Sequence, residues 1–153
     1  MAWTRARIEI PRPCDEVFTR VADFAKAEEW DPGVVRGRRL TGGPIREGTE
    51  FEIVARFLGR DVPLRYRVAE LSPPHRLVLE AETAWIRSVD TLTCEPTARG
   101  TVLVYEAHLV PKGVLYLGDL TLHLLFQAIG RRAVAGLERW LREAPPARTR
   151  GAA

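Results

Sequence analysis

The residues best placed to do chemistry in this chain are Tyr66, Ser88, Asp90, Tyr105 and His123, because each sits in phase with apolar neighbours or beside them. Ser88 and Asp90 share a two-residue period with Leu92 and Cys94, so if the latter face a core, the former do too. An interior carboxylate has to be paired or protonated. An inward Asp90 is therefore either a group that meets a ligand or the structural partner of an arginine, and a bulge in its strand would instead turn it to solvent. Tyr66 and Tyr105 can each pack a ring and offer a hydroxyl to a bound molecule, or serve as ordinary core tyrosines with wet tips. His123 is spaced i, i+4, i+8 with Asp119 and Gln127. That polar stripe on a helix reads either as an imidazole oriented for general acid–base work or as a solvated helix edge with Asp119 as the cap. Tyr66, Asp90, Tyr105 and His123 are the weak catalytic candidates.

Other chemistries lack their signatures. No glycine-rich phosphate loop, nucleophile elbow or zinc-protease helix is written in the chain. Cys14 and Cys94 lie far apart in no metal-ligand spacing and are expected to be free thiols in a reducing compartment. Neither a metal nor a cofactor is expected. His75 falls in a turn and His108 is in phase with Glu106, so both are expected in solvent.

The elements that must carry these residues follow from periodicity. Thr4 to Ile10 alternates as a strand, and Pro11 and Pro13 end it. Asp15 and Glu16 suit a helix start, and Val17, Phe18, Val21 and Phe24 follow at helical spacing. Asp31-Pro32-Gly33 breaks that segment. Strands are then predicted over 34–40, 51–57, 64–68, 77–81, 85–94 and 101–110, joined by tight turns, which implies an antiparallel meander. A long helix runs from Asp119 to about Glu143, with Leu122, Leu125, Phe126, Ile129, Ala133, Gly136, Leu137, Trp140 and Leu141 on one face. Pro145 and Pro146 stop it. The domain is thus expected to span 1–144, with 145–153 a flexible tail. A helix with one apolar stripe needs a sheet to lie on, and twisted antiparallel strands curl around it.

This order of elements, together with EEWDPGV (Glu28 to Val34), VAELSPPHRLV (Val68 to Val78) and CEPTARGTVLVYEA (Cys94 to Ala107), resembles the START-like helix-grip superfamily, also called SRPBCC, in its polyketide cyclase/dehydrase-like branch. The resemblance implies an α+β helix-grip fold, a seven-stranded curved antiparallel sheet around a long C-terminal helix, with short helices between strands 1 and 2. It also implies an apolar cavity between sheet and helix, and it carries over no universal catalytic residue. The residues themselves agree on the cavity: Ala55, Ala81, Ser88 and Ala107 interrupt a bulky inner face, opposite Ala133 and Gly136 on the helix. The residues expected to meet a ligand are Phe51, Ile53, Ala55, Phe57, Leu64, Tyr66, Val68, Leu79, Ser88, Asp90, Leu103, Tyr105, Ala107, Phe126, Ile129 and Ala133. Trp30 and Trp85 are candidates for the entrance.

The functional expectation is binding of a hydrophobic small molecule, a lipid, quinone or polyketide-like compound, as carrier or sensor. The alternatives are a polyketide cyclase/dehydratase-type enzyme and a protein-interaction module. The net charge of +3 invites a nucleic-acid reading, but lysine occurs only at 26 and 112, asparagine is absent, and the arginines are scattered. That pattern reflects GC-rich coding more than a basic footprint, so no nucleic-acid partner is expected. Leu120 and Leu124, with Val114, Leu115 and Leu117 before them and Arg131, Arg139 and Arg142 after, suggest a homodimer or a transient contact with an anionic membrane. The start MAWTRARIEIP contains no signal-peptide core, and Val114 to Ile129 is interrupted by polar residues, so a cytoplasmic location is expected.

Overall fold

In the computed structural model, which describes residues 2–113 and 119–143, one seven-stranded antiparallel sheet carries almost the whole architecture. The strands are β1 (Ala2–Ile10), β2 (Val34–Arg39), β3 (Glu50–Phe57), β4 (Arg60–Ser72), β5 (Arg76–Glu82), β6 (Ile86–Thr97) and β7 (Gly100–Pro111). Their order across the sheet is β1-β7-β6-β5-β4-β3-β2, so β2 to β7 form an uninterrupted meander and β1 closes against β7. Between β1 and β2 lie α1 (Cys14–Ala22), a single 3-10 turn (Phe24–Lys26) and α2 (Ala27–Trp30). The last element is α3 (Asp119–Glu143). The sheet curls into a half-barrel with α3 in its grip.

Strand phase decides what is buried. Along β6, Ser88, Asp90, Leu92 and Cys94 are buried and alternate with half-buried partners. The registers of β6 with β5 and β7 run without a shift, so the bulge that could have turned Asp90 outward is not there. Bulges occur elsewhere, in β2 near Val35 and in β4 near Ala69. β6 extends to Thr97, past the Cys94 limit expected from sequence.

The helix α3 is fastened at its C-terminal end. Leu137 and Leu141 are fully buried, each contributing about 1.5–3 kcal/mol of transfer free energy. Arg20 donates to the Trp140 and Leu141 carbonyls at 3.3 and 3.4 Å, and its guanidinium stacks 4.1 Å over the Trp140 ring. Trp140 Nε1 donates to Glu29 at 2.9 Å, and Arg142 Nη2 to the Glu9 carbonyl at 2.6 Å. The Arg20 contacts occupy helix-end carbonyls that would otherwise be orphaned.

Gly136 corrects one expectation. It is small not to leave room in a cavity but because a backbone presses on it: a Cβ there would stand 1.8 Å from the Trp30 carbonyl oxygen. Gly37 plays the same part on β2, where a Cβ would meet the Ala25 carbonyl oxygen at 1.9 Å. The two glycines let α2 and its preceding turn wedge between the sheet edge and α3.

Candidate functional site

A cavity of about 410 Å³ lies between the sheet and the first half of α3. Every layer contributes to it. β3 and β4 supply Ile53, Ala55, Phe57, Val62, Leu64 and Tyr66; β6 and β7 supply Ser88, Asp90, Tyr105, Ala107 and Leu109. The helical side adds Phe24, Ala27 and Trp30 with Phe126, Ile129, Gly130 and Ala133. The lining is overwhelmingly apolar, and the volume falls in the range of small-molecule sites, roughly 300–1,000 Å³.

Many residues expected to meet a ligand do line this space: Ile53, Ala55, Phe57, Leu64, Tyr66, Ser88, Asp90, Tyr105, Ala107, Phe126, Ile129 and Ala133. Phe51, Val68, Leu79 and Leu103 do not. They share the inner face but are fully buried in the packed core beyond the cavity's end. Alternation identifies a face of a strand, not how far along it a cavity reaches. Sequence spacing also misses Asp31, Thr4, Gly33 and Val34, which enter the wall from the α2–β2 connection and from β1. In the sequence Asp31 shows only as part of a helix break.

The polar groups converge on one place. The Tyr66 hydroxyl donates to Ser88 Oγ at 3.2 Å, and Ser88 Oγ lies 3.5 Å from Asp90 Oδ1. Tyr105, two residues along β7 from the Ala107 that pairs with Asp90, lines the cavity beside this group. Burial drives the behaviour of all of them. Removal from water pushes the Asp90 carboxyl up to about 7, although hydrogen bonds from Tyr66, Ser88 and Tyr105 oppose the shift and the Asp31 charge adds to it. Burial, and then the Asp90 charge, raises both tyrosine hydroxyls well above their ordinary value, so they remain protonated donors. Asp31 is raised as well, chiefly by desolvation, against a hydrogen bond of 2.8 Å from the Gly33 amide. Among the described residues no lysine or arginine pairs with Asp90, so the arginine-partner reading does not hold.

The rings form the frame. Phe24 meets Tyr66 edge-on at 5.0 Å and 66°, and Trp30 meets Tyr105 at 6.5 Å and 82°. Trp30 is buried in the wall, whereas Trp85 is 61% exposed and stands at the rim. Arg56 is the one arginine among the described lining residues, and it is held at the rim by Asp61 at 2.8 Å.

His123 lies apart from this cluster. It is half-buried on α3, outside the cavity wall, where Gln127 Nε2 donates to its Nε2 at 3.3 Å and to the Trp3 carbonyl at 3.1 Å. The Asp119 side chain, the Leu122 side chain, Val114, Leu115, Leu117 and the tail from 144 fall outside the described residues. His75 is exposed, as expected; His108 is half-buried rather than in open solvent, flanked in the sheet by Trp3 of β1 and Val89 of β6. Cys14 and Cys94 are free, and burial pushes the Cys94 thiol up to about 12, which leaves it unreactive. Among the described residues no His, Cys, Asp and Glu cluster could hold a metal ion, and no helix is long and apolar enough to cross a membrane.

Comparison with known proteins matches residues 1–142 to the family described as polyketide cyclase / dehydrase and lipid transport. The chain belongs to this family. Solved structures agree on its helix-grip fold. A Thermus thermophilus protein, TTHA0849, superposes with a TM-score of 0.75 at 20% identity, over 91% of this chain and 96% of that one. The Zhui aromatase/cyclase of Streptomyces sp. R1128 gives 0.71 at 14% identity, over 94% and 98%. The di-domain aromatase/cyclase StfQ of the steffimycin biosynthetic pathway gives 0.68 at 15% identity, over 92% of this chain and 50% of StfQ. No curated protein matches the chain. The polyketide cyclase/dehydrase family thus accounts for a fold built to enclose hydrophobic ligands, and the polar cluster at Asp90 is what this member places inside it.

Proposed function

We propose that the protein binds one apolar small molecule, body against the hydrocarbon walls and a single polar group against Asp90, Ser88, Tyr66 and Tyr105, as a carrier or sensor. The observation that carries this reading is the asymmetry of the cavity: apolar nearly throughout, with Tyr66, Ser88, Asp90 and Tyr105 gathered at one point of the sheet. Such a site orients a ligand end-on, since leaving either the ligand's polar group or these hydroxyls unmatched is costly. Native mass spectrometry of protein purified from its own host tests it. A retained small molecule, recovered unchanged, is the expected result; a ligand-free protein that also ignores apolar fluorescent probes overturns the reading.

A second reading, a cyclase or dehydratase acting on a polyketide-like chain, has one observation in its favour. Asp90 titrates near neutrality beside two tyrosine donors, the condition under which a carboxyl can move protons at pH 7. The aromatase/cyclase names of Zhui and StfQ lend it family support. Chemical conversion of the retained molecule, lost in Asp90→Asn, would favour it over carriage. Leu120 and Leu124, 75% and 63% exposed on the solvent side of α3, belong to the carrier reading as a strip for transient contact with a membrane or a second copy. Sedimentation with and without anionic liposomes tests that contact.

A further inference from the structure

The unpaired charges inside the cavity are of one sign. Asp90 and Asp31 both stand in its wall, while Arg56 is engaged by Asp61 at the rim. Asp90 is only 3% exposed, and its partners are hydroxyl groups with no cation among them. Hydroxyl donors alone are a weak answer to a buried carboxylate, whose stable alternatives are protonation or a counter-charge. The described residues supply no counter-charge. They do supply aromatic rings in the same lining as the two carboxyls, Trp30 packed against Tyr105 and Phe24 against Tyr66. Ring faces attract ammonium groups, most strongly where water is excluded.

We propose that the cavity's ligand is an apolar amine, carried as its ammonium ion, with the nitrogen at Asp90 within reach of Asp31's charge and the apolar body against the β3–β4 and α3 walls. This rests on the reading that the cavity holds an apolar small molecule, and it names that molecule's polar group. The ammonium ion neutralises a buried carboxyl that has no cation beside it and relieves the mutual repulsion of Asp90 and Asp31. A ligand with a neutral hydroxyl or carbonyl would gain no charge pairing from either carboxyl.

The two ligand classes respond to pH in opposite ways. Asp90 faces Tyr66 from β4, Ser88 on its own strand, Tyr105 from β7 and Asp31 from the α2–β2 connection. β1 offers Thr4 to the same cavity, and α3 offers Phe126, Ile129, Gly130 and Ala133, none of which titrates. The tyrosines stay protonated throughout, so the carboxyls set the profile. Amine binding strengthens as Asp90 ionises above about 7, whereas binding of a neutral hydroxyl ligand is flat or weakens there.

Naphthylethylamine and naphthylethanol, matched in shape, make the test by titration calorimetry between about pH 6 and about pH 8.5. We expect the amine to bind at least about tenfold more tightly than the alcohol at the upper pH, and the preference to shrink toward the lower. Asp90→Asn should bring the amine down to about the alcohol's affinity. Should Asp90→Asn fail to fold by circular dichroism, Asp31→Asn and the wild-type pH profile decide, since the amide oxygen of that replacement can still accept the Gly33 amide. An alcohol bound as tightly as the amine at every pH, or an amine preference untouched by the asparagine variants, overturns the amine proposal and leaves apolar binding intact. Failure of the native protein to bind either probe overturns both.

Discussion

The Tyr66 hydroxyl reaches Ser88 Oγ at 3.2 Å although a whole strand separates the two residues. Tyr66 on β4 pairs with Ala81 on β5, and Ala81 pairs with Ser88 on β6. Strands lie about 4.8 Å apart, so the ring must cross about 10 Å of sheet, and only a methyl-sized residue at position 81 leaves it a path. The small residue in the middle strand is thus part of the polar cluster without contributing a polar atom. In Tyr66→Phe, Ser88 loses its donor, and Asp90 loses the hydroxyl chain that helps hold its carboxyl down. We expect a loss of about 0.5–1.5 kcal/mol in stability. The Asp90 titration should move further up, followed by carbon NMR of its carboxyl.

Asp90 ties stability to pH. Its folded carboxyl is raised, to about 7, above an unfolded value of about 3.9. A group shifted in this direction favours the folded state below the unfolded value, and that advantage is lost as pH rises through the folded one. The loss between about pH 4 and about pH 7 amounts to roughly 4 kcal/mol. Asp90→Asn has no carboxyl to ionise. Its stability relative to wild type, from urea unfolding, should therefore climb across that window and level off above it. A parallel pair of curves would show that Asp90 is not buried as described.

Ala107 faces Asp90 across the β6–β7 ladder and lines the cavity. Ala107→Phe should project its ring into open space, cost less than the roughly 1–3 kcal/mol typical of overpacking, and abolish binding of an apolar probe. Leu79→Ala is the contrast, because Leu79 is fully buried in the packed core. It should cost about 2–5 kcal/mol and leave probe binding largely intact. Melting temperature and probe affinity, measured on both variants, separate cavity wall from core.

Gly136→Ala should be among the most damaging single-methyl additions in the chain. The new Cβ would press on the Trp30 carbonyl, which is backbone and cannot swing aside. A loss of about 1–3 kcal/mol or more in thermal or urea unfolding is expected. Because α2 has to retreat, Trp30 should shift in the cavity wall, visible as a change in tryptophan fluorescence.

Much of this was legible in the chain itself. The two-residue period placed Ser88 and Asp90 on the same side as Leu92 and Cys94, and the apolar arc of α3 located the helix that covers them. What periodicity could not convey was position along a face. Phe51, Val68, Leu79 and Leu103 have the right phase, yet lie where the core closes. Asp31 and Thr4 reach the cavity because α2 and β1 pack where they do, a matter of tertiary contact that no local spacing encodes. Gly136 shows the same limit: a missing side chain reads as room until the carbonyl filling it is located.

The two ends of α3 are held very differently. Arg20, Arg142, Trp140 and the Gly136 contact pin its last turns, whereas among the described residues one side-chain hydrogen bond, Gln127 to Trp3, ties its first half to the sheet. The cavity lies under that first half. In its side-chain hydrogen bonds the helix is a lever with its pivot at Gly136, the other arm resting over the cavity on packing such as Gly130 against Thr4. In a protein that holds an apolar molecule as proposed, substitution of Gln127 would act on how easily that arm moves, and substitution of Asp90 on how firmly the polar group is held. Speed of exchange and tightness would then be separable by mutation.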